Sequence, residues 1–299
     1  MNWHLRYAPH LGYRPPFRPQ FAALVGTEDP VAHIRFAAEQ AFAGIQYASA
    51  RSRPLPEQEA VGRALADEGL EAGCVLYTTY DRIRNPSWGS PTREARDWIE
   101  VELRSAIETA RRVGARRLVV LGGADPAVAI ALQFEAFVDN LRFGGDLAGR
   151  AGMTLCLETL DRRRVPGMLL HHIADAHAIA TRVAHPCVRL VFDTAHVHSM
   201  DGDVLRWLEE VWDAIEVVQI ADVPGRWQPG TGEVDIGGVL RHVACHGWTG
   251  LVELEYEWDR SGHAAEREGL EALRALDAAI GDRRAQAPAA VGRPFRGNR

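Results

Sequence analysis

The 299-residue chain contains no lysine, so all 34 of its lysine and arginine positions are arginine. This absence excludes several kinds of enzyme. Schiff-base and pyridoxal phosphate catalysis require a lysine amine, and a P-loop requires a lysine beside the bound phosphates. We therefore expect neither a lysine-bound carbonyl nor a P-loop nucleotide site.

Long apolar runs are also missing. No run approaches the roughly 20 residues that a membrane-spanning helix needs, and the N-terminal segment MNWHLRYAPHLGY lacks the apolar stretch of a signal peptide. The net charge of −6 does not favour nucleic acid as a partner. The sequence therefore predicts a cytoplasmic protein with no membrane and no nucleic-acid partner.

Cysteine is scarce. The chain has four cysteines, none of them in a CxxC pair: Cys74, Cys156, Cys187 and Cys245. This pattern favours free thiols packed as small apolar side chains in a reducing compartment.

Short apolar runs are present in a regular order, and each follows an amphipathic stretch and a Gly or Pro break. They lie at 5–7, 45–47, 74–78, 118–121, 154–157, 188–192, 217–220 and 251–254. Continuous apolar runs that alternate with helices predict parallel strands buried on both faces. Eight such units favour a closed (β/α)8 TIM barrel over a doubly wound sheet. No GxGxxG follows the first run, which argues against a dinucleotide-binding sheet.

A barrel of this size forms one domain, although a length near 300 residues often indicates two. We predict the barrel over residues 1–280. The remainder, 281–299, is rich in Arg, Gly, Pro and Ala without periodicity. Such composition predicts a flexible C-terminal tail.

Polar side chains interrupt the second half of this pattern at the ends of runs. Glu158 follows the fifth run, Asp193 the sixth, and Gln219 lies in the seventh. Catalytic groups of a barrel lie at the carboxyl ends of its strands. The eighth run offers Glu253 and Glu255, which share a face because they are two residues apart. Glu255 is nearer the carboxyl end and is the better candidate.

Carboxylates that converge at one barrel mouth repel each other and are costly to bury. The strand ends contain no lysine and few arginines to neutralise them. Each acid alone is equally consistent with a helix cap, but four polar residues on consecutive strands favour a shared divalent cation. Oxygen ligands indicate Mg²⁺ or Mn²⁺.

Two further residues are candidates for substrate contact. His196 lies three residues after Asp193, in the first turn after the sixth strand, while the role of His198 stays open. Arg226 lies in the loop ADVPGRWQPGTGEVD, whose Gly and Pro content indicates a shaped loop. A guanidinium there is suited to bidentate binding of a carboxylate or phosphate.

The run QIADVPGRWQPGTGEVD, then GWTGLVELEY, is preceded by LETLDRRRVPG and FDTAHVHSMDGD. In these segments the chain resembles hydroxypyruvate isomerases of the xylose isomerase-like family of sugar isomerases and epimerases. The resemblance is strongest over about residues 154–257. It implies a TIM barrel that holds one divalent metal through Glu158, Asp193, Gln219 and Glu255. It also implies that Glu158 and Glu255 act as the acid–base pair.

The same resemblance places His196 and Arg226 at substrate-contacting positions. Asp161 stands where the family often has Asn, and Gln46 where it commonly has Glu. The loop after the third strand, TTYDRIRNPSWGSPTREARDW, also departs from the family pattern. We predict that Asp161, Tyr77 and Trp88 contact substrate, and these departures leave the substrate's identity open.

The predicted function is isomerisation or epimerisation of a small hydroxy-carbonyl compound, such as hydroxypyruvate, a ketose or a related sugar, through a metal-bound enediolate. The alternative is a lyase that acts by β-elimination on a keto-sugar, an inosose or an oxidised C-glycoside. An endonuclease-IV-like phosphodiesterase needs a histidine-rich zinc cluster that the strand ends lack. A sugar-binding barrel without activity is disfavoured by the four intact strand-end residues. Assembly into a homo-oligomer stays open.

Overall fold

A computed structural model describes residues 3–284 of the chain. Its strands are β1 (Arg6–Pro9), β2 (Gly44–Ile45), β3 (Glu71–Ala72), β4 (Val75–Leu76), β5 (Arg117–Val120), β6 (Thr154–Leu157), β7 (Val188–Asp193), β8 (Ile215–Ile220) and β9 (Leu251–Leu254). Its α-helices are α1 (Ala22–Val25), α2 (Pro30–Glu39), α3 (Leu55–Glu68), α4 (Arg93–Val113), α5 (Ile130–Arg150), α6 (Ile173–Val183), α7 (Thr194–Asp201), α8 (Val204–Glu210), α9 (Ile236–Cys245) and α10 (His263–Arg284). Short 3-10 turns lie at Ala48–Ser52, Tyr80–Arg82, Pro86–Gly89 and Trp212–Ala214.

The strands form a closed parallel barrel. Seven of them pair in the order β1-β9-β8-β7-β6-β5-β4, and β2 pairs with β3. A parallel bridge between His10 and Gln46 joins the end of β1 to the end of β2, and β3 leads directly into β4. Helices cover the outer face of the ring. The predicted TIM barrel is therefore confirmed.

The elements form where the sequence pattern places them. In β6, Leu155, Cys156 and Leu157 are all fully buried, as expected for a strand covered on both faces. Helix α4 begins where the Thr92 hydroxyl accepts a hydrogen bond from the backbone N–H of Ala95 (3.2 Å). It ends at Gly114 in a left-handed conformation (φ 80°). Each helix thereby returns the chain to the amino end of the next strand.

The last helix ties the two ends of the barrel together. Asp277 on α10 accepts hydrogen bonds from the backbone N–H groups of His4 (2.8 Å) and Leu5 (3.2 Å), and from the Tyr7 hydroxyl (3.1 Å). The helix runs through Gly281, where the tail was predicted to begin, as far as Arg284. The rest of the predicted tail, 285–299, lies outside the described residues. Between residues 3 and 284, no helix has the length and apolarity to cross a membrane.

Candidate active site at the carboxyl ends of the barrel strands

The four predicted metal ligands line one end of the barrel. Glu158 directly follows β6, Asp193 ends β7, Gln219 is the penultimate residue of β8, and Glu255 directly follows β9. The register aligns Asp193 with Gln219 and Gln219 with Glu253 across neighbouring strands. All of these side chains are buried, with at most 7% of their surface exposed. The topology therefore brings the four residues to one mouth of the barrel.

Arg226 lies between two of these carboxylates. Its Nη2 is 2.6 Å from Oδ2 of Asp193 and 2.7 Å from Oε1 of Glu255, and its Nη1 is 3.3 Å from Oδ1 of Asp193. The residue is 4% exposed and has a left-handed backbone (φ 59°), which is uncommon outside glycine. The loop after β8 thus supplies these carboxylates with a guanidinium that the strand ends do not contain.

One guanidinium does not balance the charge at this mouth. Burial, together with the nearby charges of Glu255 and Asp193, raises the pKa of Glu158 well above its ordinary range. Burial also raises the pKa of Glu255, to about 7, although Arg226 acts in the opposite direction. Burial acts to raise the pKa of Asp193 too, but the Arg226 charge lowers it overall. Carboxyl groups whose pKa values are driven apart are typical of acid–base sites.

The donor set at this mouth fits a divalent cation. Gln219 donates from Nε2 to Oε2 of Glu253 (3.0 Å), and its Oε1 is buried without a hydrogen-bond partner among residues 3–284. No side chain or backbone N–H in the described chain donates a hydrogen bond to the carboxylate of Glu158. A hard cation would satisfy both residues together with Asp193 and Glu255. Carboxylate and amide oxygens are the ligands that Mg²⁺ and Mn²⁺ prefer.

His196 lies between two hydrogen-bond donors. Its Nδ1 faces the backbone N–H of Asp161 (3.1 Å), and its Nε2 faces Nη1 of Arg226 (3.1 Å). A neutral imidazole has one acceptor nitrogen, so it can accept from only one of these donors. Burial first, and then the Arg226 charge, lower the pKa of His196 to about 4. One ligand atom each of Glu158, Asp193 and His196 lie within 4.8 Å of one another. His196 lines the cavity beside the carboxylates.

Asp161 reaches the site only through this backbone contact. Its Oδ1 accepts from the backbone N–H of Arg163 (2.8 Å). Asp161 lines a neighbouring cleft with Arg163 and His198, while the central cavity is lined by Glu158 and Leu160 on either side of Thr159. The structure thus places Asp161 behind His196, with its backbone N–H directed at Nδ1 of the imidazole.

Tyr77 and Trp88 are not brought to the cavity. Leu76 lines the cavity, so strand alternation turns the next side chain, Tyr77, outward to the helices. Its ring packs against Trp88 (centroids 5.6 Å apart) and Trp98 (6.1 Å), and both Tyr77 and Trp88 are fully buried. From the same region of the chain, Tyr80 lines the cavity instead.

Beneath the mouth lies a polar layer that the sequence analysis did not assign. Glu253 accepts hydrogen bonds from the Cys74 backbone N–H (2.7 Å) and from Nε2 of Gln46 (3.0 Å) and Gln219 (3.0 Å). Gln46 also donates to Glu255. Glu253 is therefore held within the barrel, whereas Glu255 lines the cavity, which supports the choice of Glu255. The signal for Gln46 in the sequence was its place at a position where the resembled family commonly has Glu.

The rim of the cavity carries two further guanidinium groups. Arg164 donates to the Pro224 carbonyl, and Arg14 lies 3.2 Å from Oε1 of Glu257. Both line the cavity, as does Tyr13, whose ring lies 5.4 Å from the guanidinium carbon of Arg226. These residues come from loops, where no periodic pattern indicates which side chain turns inward. Arginine side chains thus line the rim of the cavity, and carboxylates lie deeper within it.

Comparison with known proteins agrees with this geometry. The family model for xylose isomerase-like TIM barrels matches residues 34–276. The 2-oxo-tetronate isomerase of Cupriavidus necator is 31% identical over 161 residues, which span 54% of this chain and 62% of that relative, less than two thirds of its length. The hydroxypyruvate isomerase of Escherichia coli is 25% identical over 252 residues, 81% of this chain and 93% of that relative.

A solved structure described as an AP endonuclease, family 2, from Brucella melitensis superposes with a TM-score of 0.75 at 24% identity, and covers 91% of this chain and 98% of its own. At that identity the likeness shows the fold alone. The same barrel is therefore present in both proteins.

Proposed function

The chain belongs to the xylose isomerase-like TIM barrel family, and from this premise we propose that it is a divalent-metal-dependent isomerase or epimerase of a small 2-oxo acid or related sugar. Relatives that cover most of the chain are named isomerases. The observation that carries the proposal is the pair Glu158 and Glu255. Both line one cavity, and the pKa of each carboxyl is raised, that of Glu255 to about 7. Carboxyl groups with raised pKa values are suited to take up and release protons in catalysis.

The position of each residue indicates its proposed role in the reaction. A divalent cation, Mn²⁺ or Mg²⁺, held by Glu158, Asp193, Gln219 and Glu255 would supply Lewis-acid polarisation of the substrate carbonyl. One glutamate removes the proton next to the carbonyl. The other, initially protonated, delivers its own proton to the neighbouring carbon, which is isomerisation, or to the opposite face of the same carbon, which is epimerisation. His196, which lines the same cavity, contacts the bound substrate.

The charge of the rim supports an acidic substrate. Hydroxypyruvate and 2-oxo-tetronate, which name the substrates of the two relatives, both carry a carboxylate beside a ketone. Arg164 and Arg14 at the rim and Arg226 within the cavity provide guanidinium groups that suit a carboxylate. A neutral ketose offers these guanidinium groups no carboxylate. We therefore place 2-oxo acids ahead of neutral ketoses.

The alternative elimination reaction gains nothing from Tyr77 and Trp88, which are buried away from the cavity, although Tyr80 from the same region of the chain lines it. An unsaturated product in a substrate screen would nevertheless identify a lyase. Cytoplasmic location and homo-oligomeric assembly stay predictions.

Replacement of either glutamate tests the proposal. A screen of 2-oxo acids and ketoses with added Mn²⁺ first identifies the substrate. We then expect Glu158→Gln and Glu255→Gln each to lower kcat by about 10²- to 10⁴-fold, because each removes a proton-transfer group. Glu268→Gln, an exposed residue on α10, is the matched control. Near-normal turnover in either site variant would show that two-base catalysis is wrong.

A further inference from the structure

A second group of metal-ligand side chains lies at the opposite end of the barrel. Glu209 is near the end of α8, His242 is in the last turn of α9, and His246 directly follows α9. The helices lead into β8 and β9 through short connections, so their ends lie at the amino ends of these strands. The candidate active site lies at the carboxyl ends. The two sites are therefore separated by the length of the barrel.

One ligand atom from each of these three side chains lies within 4.8 Å of the other two. The two imidazoles are four residues apart on one helical face, with ring centroids 4.0 Å apart and planes within 21°. Oε2 of Glu209 lies 3.7 Å from Nε2 of His242 and 3.5 Å from Nε2 of His246. Ligands bound to a tetrahedral zinc ion at about 2.0–2.1 Å are about 3.4 Å apart. Little movement is needed to close the site.

The protonation states also suit metal binding. Nδ1 of His246 lies 2.9 Å from the His242 carbonyl, which can only accept a hydrogen bond. The hydrogen is thus on Nδ1, and Nε2 has a free lone pair toward Glu209. Nε2 of His242 is shielded from solvent and has no hydrogen-bond partner in residues 3–284.

No arginine competes for the carboxylate. Within the part of the chain that the structure describes, the two histidines are the ion-pair partners of Glu209. The neighbouring Glu210 is the residue that pairs with Arg206 (3.3 Å). The carboxylate of Glu209 is 68% exposed and has freedom to adjust. It is therefore available to a cation.

We propose that Glu209, His242 and His246 form a second metal site, which binds a borderline divalent cation of the zinc class with water as the fourth ligand. Two imidazoles and one carboxylate suit Zn²⁺, Cu²⁺ or Ni²⁺, whereas the oxygen ligands at the barrel mouth suit Mg²⁺ or Mn²⁺. The cation links α8 to α9 and stabilises this end of the barrel. The site is independent of the proposed isomerase activity.

Trp212 makes the site observable. Its ring centroid lies 5.2 Å from that of His242 and 4.9 Å from that of His246. A Cu²⁺ ion on these imidazoles lies close enough to quench the indole. Copper titration should therefore reduce tryptophan fluorescence in wild-type protein, and Trp212→Phe should remove most of that reduction while copper still binds.

The test is zinc stoichiometry. Full-length protein freed of metal is titrated with Zn²⁺ by calorimetry, beside the double variant His242→Gln/His246→Gln and the control His263→Gln, an exposed histidine at the start of α10. Any zinc that enters the barrel mouth contributes equally to all three. We expect wild type and control to bind one more zinc per chain than the double variant, and to gain thermal stability with Zn²⁺ that the double variant does not gain.

Equal zinc stoichiometry and equal copper quenching in wild type and double variant would overturn the proposal. If the double variant fails to fold, the zinc affinity of Glu209→Gln tests the proposal instead, because this exposed side chain can be replaced without disturbing the packing. The proposal expects its zinc affinity to fall about tenfold or more. Unchanged affinity would exclude the carboxylate as a ligand and the three-residue site with it. Turnover of the proposed substrate should be the same in all of these variants.

Discussion

At the scale of single residues, the position of Arg226 matters most for the proposed metal. Its guanidinium binds oxygens of Asp193 and Glu255, two of the four proposed ligands. A divalent cation and this guanidinium therefore compete for the same carboxylates. If Arg226 released one of these carboxylates to the proposed cation, its guanidinium would become available to a substrate carboxylate.

Removal of this competitor should change metal and substrate binding in opposite directions. We expect Arg226→Gln to bind Mn²⁺ about tenfold more tightly, because charge-assisted hydrogen bonds worth about 1.5 kcal/mol no longer oppose the ion. KM for an acidic substrate should rise. Manganese titration followed by electron paramagnetic resonance, with the exposed Arg93→Gln as control, measures the first effect. Weaker manganese binding in Arg226→Gln would mean that the guanidinium does not compete.

His10 couples protonation to stability. It is 4% exposed, its Nδ1 accepts from the Gly12 backbone N–H (3.0 Å), and its Nε2 donates to the Tyr256 carbonyl (3.1 Å). Both ring nitrogens are thus satisfied in the neutral form. Burial lowers the pKa of His10 to about 4 from its ordinary value of 6.5.

This lowered pKa predicts a loss of stability in mild acid. Between pH 6.5 and 4 the unfolded chain binds a proton that folded His10 does not, so stability is full above about pH 6.5 and falls as the pH drops, by up to about 3 kcal/mol near pH 4. His10→Gln should lower the slope of unfolding free energy against pH by about one proton. Urea unfolding at pH 7 and pH 5 measures the slopes, and equal slopes in both proteins would contradict this coupling.

At the scale of elements, the loop between β8 and α9 is organised by one buried carboxylate. Oδ1 of Asp222 accepts from the backbone N–H groups of Val223 (2.9 Å) and Val234 (3.0 Å), and Oδ2 accepts from those of Gly230 (3.0 Å) and Gly232 (2.9 Å). The loop that carries Arg226 is therefore held by four hydrogen bonds to a single side chain.

An amide at this position cannot accept all four hydrogen bonds, because its NH₂ group faces two N–H donors. We expect Asp222→Asn to lower the free energy of unfolding by about 2–4 kcal/mol. Turnover should fall as well, since Arg226 loses its position. Urea unfolding and steady-state kinetics measure the two effects. Glu233→Gln, an exposed residue of the same loop, is the control, and a similar loss there would rule out a special role for Asp222.

At the scale of the whole molecule, closure of the ring depends on contacts between distant segments. Asp277 of α10 holds the segment that leads into β1, and the pairing of β1 with β9 sets Arg6 against Leu251. These contacts link residues more than 240 positions apart. The described barrel should therefore unfold as one cooperative unit.

A change at Asp277 tests this closure. We expect Asp277→Asn to destabilise the protein by about 2–3 kcal/mol, because buried N–H groups lose a charged acceptor. Unfolding should remain a single transition. Fluorescence and circular dichroism followed through the same urea titration provide the measurement, with the exposed Glu271→Gln as control. Two separate transitions would show that the ends of the barrel unfold independently.

The sequence alone determined the features that local residue patterns encode, namely the strands and the residues at their ends. Apolar runs of strand length predict the parallel strands, since both faces of each strand are buried wherever it lies in the ring. Because parallel strands all place their carboxyl ends at one mouth, Glu158, Asp193, Gln219 and Glu255 were expected there together. Their convergence needed no knowledge of the loops.

Tertiary structure decided how these groups are neutralised and what surrounds them. Arg226 reaches Asp193 across 33 positions, and no periodicity indicates where a loop side chain points. Tyr77 and Trp88 were predicted at the substrate, but the alternation at Leu76 turns Tyr77 away. Glu253 and Glu255 point to the same face of the strand because they are two residues apart, and only their contacts in the folded chain distinguish their roles. Strand position is a local property, whereas charge pairing depends on contacts between residues distant in the chain.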